Sequence, residues 1–267
     1  MSGPEQLDDT IWRPVVLAFL RDIKANPDDD TPRFILADWL EEHGDTVRAA
    51  RGEFLRLQCL AQRVPNPERE AELLRRFERE WLGPLAPLAR SWSWDRGLLH
   101  LEIYADILLD DSTGLVQSEA FGWVEGVSFR RLDAESVARL AASPWLGWLN
   151  TLDLGFNHIG DAGVEILASS PNLTNLRSLW LRRNSIGNDG ATALARSAGL
   201  ANLDTLSLID NEIGDPGALA LAASPHLGHL KLLNMEGNPL GSSGIAALKK
   251  AARAHPHLWL HILRRWH

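Results

Sequence analysis

Asn157, Asn184, Asn211 and Asn238 stand 27 residues apart, and the same apolar frame surrounds each of them. The first copy reads Leu149, Leu152, Leu154, Asn157, Ile159, and the second Leu176, Leu179, Leu181, Asn184, Ile186. Leu203, Leu206, Leu208, Asn211 and Ile213 follow, then Leu230, Leu233, Met235, Asn238 and Leu240. A period of this length predicts a solenoid: one coil cannot bury its leucines alone, whereas stacked coils bury a continuous core. The Leu-x-Leu alternation predicts a short strand in each coil. Helical spacing then takes over, with Val164, Ile166, Leu167 and Ala168 in the first copy.

The turns repeat as well. Gly160, Gly187, Gly214 and Gly241 are expected to adopt tight or left-handed backbone. Asp161, Asn188, Asp215 and Ser242 follow them as expected N-caps of the helices they precede. Val124, Val127 and Phe129, with Leu132 in the asparagine's place, predict a degenerate earlier coil, and Leu98, Leu101 and Ile103 a strand before it. His257-Leu258-Trp259-Leu260-His261-Ile262 predicts the strand of a truncated last coil.

The run Asn211-Glu212-Ile213-Gly214-Asp215-Pro216-Gly217-Ala218 resembles the ribonuclease-inhibitor-like class of leucine-rich repeats. That resemblance implies an α/β solenoid over residues 96–267. It would be a right-handed horseshoe, with parallel strands on the concave face and helices on the convex face.

Ahead of it, a small all-α domain is expected over residues 13–63, joined by a helix and connector over 64–95. Three helices are predicted in that domain, at Val15–Ala25, from an N-cap at Thr31 to Gly44 and at Val47–Gln62, and a fourth follows at Pro67–Leu82. The second should bury a stripe of Ile35, Leu36, Trp39 and Leu40. Its Ala37-Asp38-Trp39-Leu40-Glu41-Glu42 core, with Arg51-Gly52-Glu53-Phe54, resembles the repeat-companion domain of bacterial paralogue families. That resemblance implies a bacterial origin and no mechanism.

The net charge of −8 argues against nucleic-acid or anionic-membrane binding. The lone Cys59 can form no internal disulfide, and the first apolar run, Val15–Leu20, is too short for a membrane span. A cytoplasmic protein is expected. Most of the 11 tryptophans are read as anchors for irregular ends and seams.

No phosphate loop, nucleophile elbow or zinc-protease motif is present. Asp28-Asp29-Asp30 lacks the spacing of a calcium loop, and His226, His229, His255, His257 and His261 match no common zinc pattern. No metal, cofactor or catalytic residue is therefore expected, and Cys59 is read as inert. Asp38 and Glu53 could do acid–base work on adjacent helices, but ion pairs with Arg33, Arg51 or Arg56 are the simpler reading. The four asparagines are expected to be structural, bonding the backbone of neighbouring coils.

The residues that alternate with the leucines should form the ligand face. Arg130, Arg131, Asp153, Phe156, Trp180, Arg182, Arg183, Asp210 and Glu236 are the candidates. Aromatics flanked by arginines are interface chemistry. They point to a non-catalytic scaffold or adaptor for a protein or peptide with an acidic, partly apolar surface. An enzyme or enzyme regulator using the helical domain, with the solenoid selecting its substrate, is the alternative. An open acidic pocket at Asp38 and Glu53 would favour that alternative.

Overall fold

The computed structural model describes residues 9–61, 64–110 and 114–262. The expected helix end at Gln62, Arg63 at the expected domain edge and the segment 263–267 lie outside them. The elements are α1 (Asp9–Ala25), α2 (Thr31–His43), α3 (Thr46–Leu60), α4 (Pro67–Leu82), β1 (Ser91–Asp95), β2 (Leu98–Tyr104), α5 (Ala105–Leu109) and α6 (Glu119–Gly122). Then come β3 (Val124–Arg130), α7 (Ala134–Ala142), β4 (Thr151–Asp153), α8 (Gly160–Ala168), β5 (Ser178–Trp180) and α9 (Asn188–Arg196). The chain continues through β6 (Thr205–Ser207), α10 (Asp215–Ala222), β7 (Leu232–Asn234), α11 (Ser242–Ala254) and β8 (Trp259–His261). In the second unit β4 to β8 follow one another in the sheet in chain order. Among the described residues, 9–101 and 114–125 form one compact unit, and 102–110 and 126–262 a second. No helix among the described residues is long and apolar enough to cross a membrane.

In the first unit, Trp12, Val16, Leu20 and Ile23 fall on one face of α1 and are buried with Leu36 and Leu40 of α2. Helix α1 therefore reaches back at least to Asp9 rather than starting at Val15, with Pro14 inside it. Proline is tolerated near a helix start, where few N–H groups have partners, and burial of Trp12 outweighs the bond it removes. The stripe of α2 is also turned from the expected one. Arg33, Leu36, Ala37 and Leu40 are buried, while Ile35 is exposed and Trp39 half-buried. Arg33 turns its guanidinium inward, where Nη1 donates to the carbonyls of Pro27 and Asp29, both at 3.1 Å. Thr31 is the first helical residue and not the cap; its N–H is taken by Asp29 Oδ1 at 2.8 Å. Asp45 caps α3 through the N–H groups of Val47 and Arg48. Phe54 of α3 then packs with Leu73, Phe77 and Trp81 of α4.

Each coil of the second unit follows the predicted scheme. Thr151, Ser178, Thr205, Leu232 and Trp259 stand in parallel register, as do Asp153, Trp180, Ser207, Asn234 and His261. Between these rows Leu152, Leu179, Leu206 and Leu233 point into the core. Val164 and Leu167 of α8 are fully buried, but Ile166 is 40 % exposed and leaves the expected stripe.

Three hydrogen-bond ladders tie coil to coil. In the asparagine ladder, Asn184 Oδ1 accepts the N–H groups of Asn157 and Ile159 at 3.2 and 3.3 Å, while Nδ2 donates to Leu154 O at 2.8 Å. Asn211 repeats this toward Asn184, Ile186 and Leu181. Asn157 reaches Leu132 N and Phe129 O of the degenerate coil. The second ladder corrects the capping expectation. None of Asp161, Asn188, Asp215 and Ser242 caps its own helix. Instead Asp161 Oδ1 accepts from Gly187 and Gly190 at the start of α9, at 2.7 and 3.0 Å. Asn188 does the same for Gly214 and Gly217, and Asp215 for Gly241 and Gly244. Each coil thus caps the next. A Cβ at Gly190 would stand 2.5 Å from Asp161 Oδ1, so glycine there admits the cap. The third ladder was missed at the sequence level: Ser170, Ser197 and Ser224 donate to Ala141, Ala168 and Ala195 carbonyls of the preceding coil at 2.5–2.6 Å. Its signal, a serine every 27 residues, was present.

The left-handed positions are also displaced. Gly187, Gly214 and Gly241 have negative φ and sit as extended N-caps; only Gly160 of the four is left-handed. Left-handed backbone falls instead on Arg131, Phe156, Arg183, Asp210 and Gly237, just before the ladder position of each coil, and on His158 and Ser185 just after it.

The cap ladder predicts a measurable cost. Asp215→Ala removes the oxygen that accepts both the Gly241 and Gly244 N–H groups, and the bond from Ser243 Oγ. It should lower the urea unfolding midpoint, as expected for loss of an N-cap. A null effect would mean that water replaces the carboxylate.

Candidate functional site

The candidate ligand residues fall into two groups within the second unit. Arg130, in β3, faces Glu102 Oε1 at 3.2 Å and Asp153 Oδ2 at 3.9 Å, and donates to Gly155 O at 3.2 Å. Asp153 is further held by Ser128 Oγ at 3.2 Å and by the Gly155 N–H at 2.8 Å. Arg131 lies over the Tyr104 ring, 4.8 Å from its centroid. The charges of Arg130 and Asp153 are matched locally.

The second group is different in character. Phe156, Arg183 and Asp210 occupy the left-handed position after β4, β5 and β6, so they project from loops and not from strands. Phe156 is 48 % exposed and Trp180 38 %. The guanidinium carbons of Arg182 and Arg183 stand 5.1 and 5.4 Å from the Phe156 ring centroid. Asp210 Oδ2 holds both arginines, at 3.5 Å from Arg182 and 3.0 Å from Arg183. The arginines remain about half exposed while Asp210 is largely covered, so the surface presented is cationic and aromatic. Trp180 stands in register between Asp153 and Ser207, and Ser207 is fully buried. Glu236 is exposed on the next coil, its N–H donating to Asn234 Oδ1 at 3.0 Å.

The carboxylates of the first unit are ion-paired. Arg56 reaches Asp38 at 2.6 Å and Glu41 at 3.1 Å. Glu53 receives Arg69 through both carboxylate oxygens, at 2.6 and 2.7 Å. Of the three arginines expected to pair, only Arg56 does so. Arg33 and Arg51 are buried elsewhere. Arg51 lies 3.8 Å from the Trp123 ring centroid and 5.0 Å from that of Trp94, and donates to Trp81 O at 3.3 Å. Burial also pushes the Cys59 thiol up to about 12, Asp30 adding to the shift. Its thiolate is correspondingly scarce. Alkylation of the native protein near neutral pH should run roughly a thousandfold slower than in denaturant. Equal rates, measured by mass spectrometry, would overturn that assignment.

Asp95, His100 and Glu125, also in the first unit, bring one donor atom each to within 4.8 Å of one another. No spacing rule at the sequence level singled them out, because the hairpin and β3 assemble them.

No curated protein matches the chain. Residues 148–168, 172–195, 199–222 and 226–249 match a family model described as Leucine Rich repeat, in four consecutive copies. The segment bearing Asp153, Phe156, Trp180, Arg182, Arg183, Asp210 and Glu236 is thus built of leucine-rich repeats.

Proposed function

We propose that this protein is a scaffold or adaptor whose repeat segment holds a protein or peptide ligand. The contact surface is the outer face of strands β4–β7 with the loops that follow them, the concave face if the coils curve as a horseshoe. The observation that carries this reading is the exposure of Phe156 and Trp180 beside two guanidinium groups that Asp210 holds in place. Large apolar rings left in water next to preorganised arginines are the composition of interface hot spots. Leucine-rich repeats commonly serve as protein-interaction modules, which agrees with it.

The ligand inferred from this chemistry is acidic and partly apolar, and is neither nucleic acid nor membrane. A cytoplasmic setting follows from the lone cysteine. The first unit, on this reading, contains the helical companion domain of a bacterial paralogue family at 13–63, with 64–95 as connector and 96–267 as solenoid. The enzyme reading lacks its expected site: Asp38 and Glu53 lie in ion pairs and not in an open acidic pocket.

Selection of displayed peptides on the immobilised protein tests the ligand class. Enrichment of sequences carrying Asp or Glu beside Leu, Phe or Trp supports the proposal, and enrichment of basic sequences contradicts it.

A further inference from the structure

The first unit contains a side-chain cluster that the proposed ligand face does not use. Asp95 ends β1, His100 lies on β2 across the Arg96-Gly97 turn, and Glu125 is the second residue of β3. His100 Nε2 and Glu125 Oε2 are 3.6 Å apart. That is too long for a hydrogen bond. Two ligands of one tetrahedral zinc, with bonds of about 2.0–2.1 Å, would stand about 3.3 Å apart.

Glu125 supplies the independent observation. Its side chain is 10 % exposed, and it accepts no hydrogen bond from any described residue. A carboxylate withdrawn from water is costly unless a cation or donors meet it. Lys24 and Arg33 are the buried cations near it. Each feels the Glu125 charge, but the hydrogen bonds they donate go to carbonyls. Lys24 Nζ donates to the carbonyls of Gly122 and Val124 at 2.7 and 2.6 Å. Arg33 Nη1 donates to those of Pro27 and Asp29. A Glu125 carboxylate oxygen lies within 4.8 Å of a donor atom of both His100 and Asp95.

The surroundings fix the geometry and leave a route in. Arg96 and Gly97 are left-handed, as a two-residue hairpin turn requires. Gln58 accepts the Gly97 N–H at 2.7 Å, and Arg96 is bound to Asp30 and to the Pro27 carbonyl. The turn that sets Asp95 against His100 is therefore anchored on α3 and on the segment before α2. Asp95 is exposed and His100 half-buried, so an ion can enter from solvent.

We propose that Asp95, His100 and Glu125 bind one Zn²⁺ ion, with water as the fourth ligand. One imidazole and two carboxylates, with no thiolate, suit zinc better than magnesium, which prefers six oxygens, or copper(I), which prefers sulfur. The bound ion would fasten the β1–β2 hairpin to the start of β3 and neutralise Glu125. Ligand binding by the repeats does not depend on it.

Calorimetric titration of EDTA-treated, desalted full-length protein with ZnCl₂ tests the site, with Co²⁺ as a spectroscopic probe of coordination. One equivalent should bind, and Co²⁺ should show the strong visible absorption of a four-coordinate site. His100→Ala and Asp95→Asn should each weaken Zn²⁺ binding by about a hundredfold or more. Both variants change accessible residues, so their metal-free thermal transitions should match wild type, whereas Glu125→Gln can fail to fold. Absence of binding overturns the proposal. So does binding unchanged by His100→Ala, which would place the ion elsewhere, for example at His255 and His257, whose rings lie 5.7 Å apart.

Discussion

Asn184→Ala should destabilise the protein by about 4 kcal/mol and lower its Tm by roughly 10 °C. Asn184 is fully buried. Its amide satisfies two N–H groups of the preceding coil and the Leu154 carbonyl. Alanine leaves these groups buried without partners, and each unsatisfied group costs about 1–3 kcal/mol. Asn175→Ala is the internal control: it removes one exposed bond, to Gly147 O at 2.6 Å, and should cost about 1 kcal/mol or less. Differential scanning calorimetry distinguishes the two. Equal, small losses would show that water replaces the ladder and that the leucine core alone holds the coils.

The second large effect is a pH dependence. Burial holds Lys24 down to about 7, Glu125 opposing the shift only in part. In the unfolded chain the amine titrates near its ordinary value of 10.5. Between these values the unfolded state binds the extra proton, so stability rises with pH through that window. Below it both states are protonated and the cost of burying the charge is constant. The first unit should gain about 3 kcal/mol between about pH 7 and about pH 9.5, and Lys24→Met should remove that gain. Cys59 acts in the opposite sense above its ordinary value of 9.0, because the native state keeps the proton longer. Urea unfolding at the two pH values, followed by tryptophan fluorescence, checks this. A midpoint that falls with pH in wild type, with the same slope in Lys24→Met, would refute it.

The solenoid was legible because its period sets its register. Residues 27 apart in sequence, such as Leu152, Leu179, Leu206 and Leu233, are the register partners of adjacent strands. One unbroken spacing therefore specifies every strand pair from β4 to β8, and the β3–β4 pair, offset by 25, departs from it. What the pattern could not reveal is the direction in which a polar side chain turns. Gly-Asp before a helix looks the same whether the carboxylate caps its own helix or the next, and only the stacking distance decides for the next. Phe156, Arg183 and Asp210 were placed on strands for a similar reason: the strands end at Asp153, Trp180 and Ser207, and the following residues turn left-handed. In the first unit, Pro14 hid the start of α1 and Arg33 rotated the buried stripe of α2. Those departures reflect tertiary burial of Trp12 and of a guanidinium satisfied by carbonyls, which no local spacing encodes. Asp95, His100 and Glu125 come together only through the hairpin.

The central claim is that the aromatic and arginine cluster after β4 and β5 is where a partner binds. It is tested most directly by affinity capture from lysate of the source cell, comparing wild type with a Trp180→Ala, Arg182→Glu, Arg183→Glu variant whose thermal transition shows it folded. The account predicts a partner retained by wild type and lost by the variant. Equal retention of that partner by both proteins would contradict it and move the contact to the helices of the repeats or to the first unit.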